Sequence, residues 1–243
     1  MNYTINDLYD TLKNKKKIGS GLRGNVFVND DDTLIKVPKE IDVNISYSEF
    51  LKRIHSLKKR RTDLKRFEED QKKFIQKGSN LDFVDFAKDI VYLEEMYIGV
   101  IIKWYKNCSS LMEYKFINEI ELLEIVKEII EDNRILITKG IYHLDLLLTN
   151  ILYNGKNIHI IDIDGNSIKY FPKKNKYYET LSYYSIFRGL DYYLEEKFKN
   201  QNSYSDRHNA FNNLLETDDN EFINYSKAKK LIRKIEQKGF FKK

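Results

Sequence analysis

The stretch His143-Leu144-Asp145-Leu146-Leu147-Leu148-Thr149-Asn150 decides how the fold of this chain is interpreted. A short apolar strand, Ile158-His159-Ile160-Ile161, follows it and leads directly into Asp162-Ile163-Asp164. A lone aspartate before an apolar stretch usually caps a helix or turn, but here aspartates and an asparagine come close together in the chain. They can supply one carboxylate beside an attacking hydroxyl group and two oxygen ligands for magnesium on nucleotide phosphates, as phosphoryl transfer requires.

A glycine pattern of the form Gly-x-Gly-x-x-Gly-x-Val begins at Gly19 and ends at Val26. A dinucleotide-binding turn with similar glycines should follow a strand and open a helix. Here the glycines precede apolar Val26-Phe27-Val28, the turn-forming Asn29-Asp30-Asp31-Asp32 and then Thr33-Leu34-Ile35-Lys36-Val37. This order predicts strand, hairpin, strand, and glycines at its start would let the backbone close over phosphate groups.

Lys36 occupies an unusual position, because its neighbours on the second predicted strand are apolar. A lysine on an edge strand with a solvated head group is the common alternative. Beneath a glycine-rich flap, however, a lysine can hold nucleotide phosphates. We therefore predict that Lys36 is a phosphate-binding residue.

Together and in this order, the motifs resemble those of the protein kinase-like superfamily, in a small and divergent form. The resemblance covers residues 18–164 and does not extend into the last third of the chain. It implies an α+β, two-lobed protein kinase-like fold formed by residues 1–243 as one catalytic domain, with a small β-rich N-lobe at about 1–103 and a helical C-lobe at about 107–243. The connection would lie near Lys103–Asn107, whose backbone groups could bind adenine.

The hydrophobic pattern agrees with this division into a β-rich and a helical part. Residues 46–77 read as one long charged helix, and residues 90–105 contain two strand-like runs. Residues 118–137 carry apolar side chains at helical spacing. From Tyr177 onward the pattern is helical and aromatic.

The resemblance also implies a role for each motif residue. Asp145 would orient the acceptor hydroxyl or take its proton, and Asn150 would bind Mg²⁺ through its amide oxygen. Asp162 would hold the principal Mg²⁺, while Asp164 would be a second metal ligand or only the start of a turn. His143 is expected to pack and to hydrogen-bond the loop.

On the nucleotide side, Lys36 would hold the α and β phosphates of ATP. The flap over the nucleotide would consist of Gly19, Ser20, Gly21, Gly24 and Val26. A kinase lysine also needs a glutamate from the next helix. At about 100° per residue, Glu68 lies beside the apolar face that contains Leu64 and Phe67, whereas Glu69 points away, so Glu68 is the predicted partner of Lys36.

Some positions depart from the pattern of conventional protein kinases. Leu144 stands where His-Arg-Asp loops carry arginine, Leu147 stands where Ser/Thr kinases carry lysine, and no Ala-Pro-Glu follows Asp164. With these departures, the loop resembles the loops of lipopolysaccharide-core sugar kinases and other small-molecule kinases. The intact glycine pattern resembles that of protein kinases. The acceptor could thus be a protein Ser/Thr or a glycolipid-core sugar. The alternative is a catalytically silent pseudokinase that acts as a nucleotide-binding regulatory module.

The overall composition excludes several other classes of function. Lys and Arg number 42 against 37 Asp and Glu, a mild excess that suits an anionic ligand such as ATP and does not require nucleic acid. The basic run Lys58-Lys59-Arg60-Arg61 is most simply a solvated helix face. A single cysteine, Cys108, predicts a reducing, cytoplasmic location. No signal peptide is visible, and no apolar run reaches the ~20 residues of a membrane span.

Overall fold

The structure is a computed structural model that describes residues 1–20, 24–78, 80–115, 119–163 and 168–198. The chain is of mixed α+β class, with a sheet-rich N-terminal part followed by helices. It divides into two compact units, Met1–Cys108 with Ile161–Gly165, and Ser109–Ile160 with Asn166–Lys243. Asp162 and Ile163, which follow the predicted strand Ile158-His159-Ile160-Ile161, therefore belong to the first unit.

The first unit is built on a six-stranded sheet in the order β1-β5-β6-β4-β3-β2. Its strands are β1 (Asn2–Tyr3), β2 (Lys17–Ser20), β3 (Gly24–Val28), β4 (Thr33–Pro38), β5 (Asp89–Leu93) and β6 (Met96–Lys103). All neighbouring strands are antiparallel except β1 and β5. The predicted strand, hairpin and strand around Asn29–Asp32 is confirmed, as are the two strands predicted within 90–105.

The strands around Lys36 pack closely against one another. Strand β4 pairs with β3 and β6, which places Val26 and Val100 on either side of Lys36. A Cβ atom at Gly99 would lie 2.1 Å from the carbonyl oxygen of Lys36. Only glycine therefore allows β6 to run this close to β4.

Three helices complete the first unit: α1 (Ile5–Lys13), α2 (Tyr47–Lys59) and α3 (Arg61–Gly78). The sequence predicted one helix over 46–77, and this prediction is wrong at Arg60. Arg60 ends α2 by donating its backbone N–H to Leu57, and its carbonyl accepts the N–H of Leu64 in α3. An ion pair of 2.7 Å with Glu40 holds the Arg60 side chain at this break. The apolar faces of both helices, including Phe50, are buried in the sheet core.

Within the described residues, the second unit contains α4 (Glu119–Thr138), α5 (Lys176–Phe198) and five short strands. The strands are β7 (Ser109–Ser110), β8 (Ile141–His143), β9 (Ile151–Tyr153), β10 (Ile158–Ile160) and β11 (Ile168–Tyr170), in two sheets ordered β10-β9-β7 and β11-β8. The helix predicted over 118–137, the strand before Asp162 and the helix near Tyr177 are confirmed within the described residues. None of the helices in the described ranges is long and apolar enough to cross a membrane.

Candidate functional site

An ion pair between Lys36 and Asp162 forms the centre of the candidate site in the first unit. Lys36 Nζ donates to Asp162 Oδ1 across 126 positions of sequence. Strand β4 aims Lys36 away from the core because its neighbours Ile35 and Val37 point inward and are buried. Two residues that the sequence assigned to phosphate and to metal binding are thus direct neighbours.

The backbone at Asp162 adopts a conformation that non-glycine residues rarely take. Its φ angle is +63°, in the left-handed region. The next residue, Ile163, is held from helix α3, because Gln71 Nε2 donates to its carbonyl oxygen over 2.8 Å. Such conformations persist where the surroundings enforce them, and they are common at functional sites.

A small cavity adjoins the ion pair. Its lining combines two carboxyl groups, a lysine, an amide and apolar side chains: Lys36, Gln71, Asp85, Ala87, Val100, Ile102, Asp162 and Ile163. Its volume of about 20 Å³ gives room for a water molecule.

Asp85 is a buried carboxyl group of this cavity that the sequence reasoning missed. It is 6% exposed, and its Oδ1 accepts the backbone N–H of Lys103 over 3.2 Å. Burial raises the pKa of Asp85 to about 7, although the bond to Lys103 and the charges of Lys88 and Lys36 act in the opposite direction. The signal in the sequence was an aspartate between the apolar Val84 and the apolar Phe86-Ala87.

The predicted pair of Lys36 with Glu68 is not formed in this structure. Glu68 Oε1 instead accepts hydrogen bonds from Lys72, one turn later on α3, and from Tyr92 over 3.0 Å. Burial acts to raise the pKa of Glu68, but these two hydrogen bonds outweigh it and hold the pKa below its ordinary value. The residue of α3 that reaches the cavity is Gln71.

Helical geometry held a signal for Gln71 that we did not use. Seven steps of about 100° return Gln71 to within about 20° of Leu64, at the centre of the apolar face. A polar residue at that position must find a buried partner. Gln71 is 1% exposed and finds it in Ile163.

The described part of the glycine flap adjoins Lys36 through β2 and β3. Gly19 pairs with Val26 and Ser20 with Asn25, and Ser20 Oγ donates to Asn25 Oδ1 over 2.9 Å. A Cβ atom at Gly24 would lie 2.5 Å from the carbonyl oxygen of Val37, so this position requires glycine. Gly21, which the sequence assigned to the flap, lies outside the described residues.

In the second unit, the loop with Asp145 and Asn150 is held by its own hydrogen bonds. Asn150 Nδ2 donates to the carbonyl of Asp145 over 2.7 Å, and the N–H of Asp145 donates to His143 Nδ1 over 3.3 Å. The N–H of Leu146 donates to Ser185 Oγ of α5 over 2.9 Å. His143 is fully buried, so its predicted packing and hydrogen-bonding role is confirmed.

The oxygen atoms of Asp162 and Asn150 are of the kind that magnesium binds. Among the described residues, no three His, Cys, Asp or Glu side chains form a metal-binding cluster. Magnesium needs no such cluster, because it commonly takes one or two protein oxygens together with water and phosphates. Asp162 offers a carboxylate, and Asn150, whose Nδ2 is engaged within the loop, offers its Oδ1. Asp164 lies outside the described residues.

Comparison with known proteins adds no relative to this picture. No protein-family model matches the chain, and no curated protein matches it either. The resemblance of the motifs to protein kinase-like enzymes therefore stays a hypothesis that depends on the residues themselves.

Proposed function

We propose that this protein is an ATP- and Mg²⁺-dependent phosphotransferase of the protein kinase-like type, which moves the γ-phosphate of ATP to a hydroxyl group. The ion pair of Lys36 with Asp162 is the observation that carries this proposal. Two motifs identified by their resemblance to kinase-like motifs, separated by 126 positions, supply side chains that touch. A phosphate-binding lysine and a magnesium-binding aspartate must be neighbours, because both act on the same phosphates.

The arrangement around the lysine gives further support. The hairpin with the glycine pattern pairs directly with the strand of Lys36, as a flap over phosphates would require. The tight approach of Gly24 to Val37 brings the end of this flap close to Lys36. Kinase-like enzymes cover the phosphates of ATP in this way.

Each residue would have a distinct part in the reaction. The Lys36 ammonium would contact phosphate oxygens, and the Asp162 carboxylate would hold the cation. The resemblance gives Asn150 Oδ1 the part of a further oxygen ligand for magnesium. Asp145 would orient the acceptor hydroxyl and take its proton as the new phosphate ester bond forms. Bound magnesium would neutralise negative charge on the phosphates.

The acceptor belongs to one of two classes, a protein Ser/Thr or a sugar of a cell-surface glycolipid. The loop residues Leu144 and Leu147 favour a sugar, whereas the glycine pattern favours a protein. Acceptor choice resides in the site and not in the fold class, so an experiment that offers both acceptors must decide.

A specific observation also favours a second candidate, a pseudokinase that binds nucleotide without transferring phosphate. Glu68 is bonded to Lys72 and Tyr92 and not to Lys36. Kinase activity requires a lysine placed by its helix partner. A chain without such a partner would bind nucleotide but would hold it poorly for transfer.

Transfer of labelled γ-phosphate from Mg-ATP tests both candidates. The wild-type protein, Asp145→Ala and the control Asp89→Asn, an exposed residue paired with the N-terminus, are each incubated alone, with a protein extract or with a glycolipid extract. Label in one extract with wild type and Asp89→Asn, but not with Asp145→Ala, supports the kinase and names its acceptor class. Calorimetric ATP binding without label in any reaction favours the pseudokinase. Absence of ATP binding contradicts both.

A further inference from the structure

One buried atom beside the ion pair lacks a hydrogen-bond partner. Gln71 is 1% exposed, and its Nε2 donates to the Ile163 carbonyl. Its Oε1 accepts no hydrogen bond from any residue that the structure describes. A buried carbonyl oxygen without a donor destabilises the fold, so a role in another state of the site would explain why it is there.

Lys36 is a mobile donor that lines the same small cavity as Gln71. Its ammonium carries three N–H donors on a flexible stem. In this structure it bonds to Asp162. The proposed function gives Asp162 a second task, because this carboxylate would also hold magnesium.

Asp162 cannot keep its full interaction with Lys36 while it binds magnesium. A cation on the Asp162 carboxylate repels the ammonium and competes for the same oxygen atoms. The ammonium can then take a further acceptor that lines the cavity. Glu68 is bonded to Lys72 and Tyr92, and Asp85 Oδ1 accepts the Lys103 N–H, whereas Gln71 Oε1 accepts no hydrogen bond from the described residues.

Building on the proposed function, we propose that Gln71 is a positioning residue for Lys36, and that its Oε1 accepts the ammonium when Asp162 binds Mg²⁺. Gln71 Nε2 meanwhile keeps the Ile163 carbonyl, and with it the Asp162 backbone, in place. Gln71 thus takes the part that the sequence assigned to Glu68. A neutral amide leaves the full charge of the ammonium for the phosphates, whereas a glutamate would neutralise it.

The first test uses the ligand-free protein, so it holds even if the proposed function is wrong. Urea midpoints are measured for wild type, Gln71→Met, Asp162→Ala and the double variant, with Gln76→Met on the exposed side of α3 as control. In wild type, Gln71→Met removes only the bond to Ile163. According to the proposal, the Lys36 ammonium bonds to Gln71 Oε1 in Asp162→Ala. We therefore expect Gln71→Met to lower the urea midpoint by more in the Asp162→Ala background than in wild type. An equal or smaller shift in that background overturns the proposal.

The second test measures the calorimetric Kd for Mg-ATP. We expect Gln71→Met to weaken binding about tenfold, the effect of losing one hydrogen bond to a charged group. In a Lys36→Met background, Gln71→Met should have no further effect. Equal weakening in both backgrounds means a purely structural role and overturns the inference. If wild type fails to bind Mg-ATP, the proposed function fails, while the urea midpoints still decide the role of Gln71.

Discussion

The two polar sites of this molecule are built in opposite ways. In the first unit, Lys36, Gln71 and Asp162 come from distant parts of the chain, and one buried atom, Gln71 Oε1, has no partner among the described residues. In the second unit, the loop around Asp145 and Asn150 has bonds that span 2 and 5 positions and a bond to α5. The loop thus uses contacts that are local in sequence, whereas the site around Lys36 is assembled from segments distant in sequence.

The largest expected effect is on the cavity side. Asp162→Asn removes the negative charge that would hold the cation, and we expect phosphoryl transfer to fall at least about 1000-fold. The circular dichroism spectrum and the cooperative unfolding transition should stay unchanged, because the amide still bonds to Lys36. Asp89→Asn serves as the charge-matched control. Turnover of Asp162→Asn near the wild-type rate would contradict the metal assignment.

Gly99→Ala should destabilise the sheet of the first unit by forcing strand β6 away from Lys36. The added Cβ would lie 2.1 Å from the Lys36 carbonyl, so β6 must move away from β4. We expect a loss of about 3 kcal/mol or more in the free energy of unfolding, measured by urea titration. Gly19→Ala, whose Cβ would lie 3.7 Å from Val26, is the matched control and should change stability little. Equal stabilities of the two variants would show that β6 can shift without cost.

The third prediction compares one buried aspartate in each unit. Burial raises the pKa of Asp85 and of Asp132 to about 7, and Glu128 and Glu131 add to the effect at Asp132. Each folded carboxyl keeps its proton to a higher pH than the unfolded chain does. Stability therefore falls as pH rises from about 4 to about 7, by at most about 1.4 kcal/mol per pH unit for each group.

Melting temperatures at pH 5 and pH 8 measure this effect. Asp85→Asn and Asp132→Asn should each reduce the loss between the two pH values, and the double variant should reduce it further. Asp85→Asn keeps the acceptor for the Lys103 N–H, so its stability at pH 5 should stay near wild type. An undiminished pH dependence in both variants would show that neither carboxyl is protonated in the fold.

The same contrast explains what the sequence could predict. The loop was predictable because its contacts are local: the spacing of His143, Asp145 and Asn150 is enough to bring them together. Lys36 and Asp162 could each be predicted from a motif, but nothing in the spacing of the two motifs predicts the distance between the side chains. Glu68 was predicted as the partner of Lys36 from its place on the helix face. In the structure Glu68 bonds to Tyr92 and Gln71 bonds to Ile163, and the positions of these two partners could not be predicted from the helix alone. The break at Arg60 is accompanied by an ion pair to Glu40, a residue outside both helices.

The smallest expected effect concerns the loop. Ser185→Ala removes the acceptor of the Leu146 N–H and leaves that buried donor unsatisfied, which should cost about 1–3 kcal/mol of stability. Because Ser185 bonds the loop backbone beside Asp145, to which the proposed function gives the acceptor hydroxyl, we expect kcat to fall severalfold and the Kd for Mg-ATP to change less. Ser185→Thr keeps the hydroxyl acceptor and should restore most of kcat. A loss of Mg-ATP affinity as large as the loss of kcat in Ser185→Ala would instead mean that Ser185 supports nucleotide binding and not the position of Asp145.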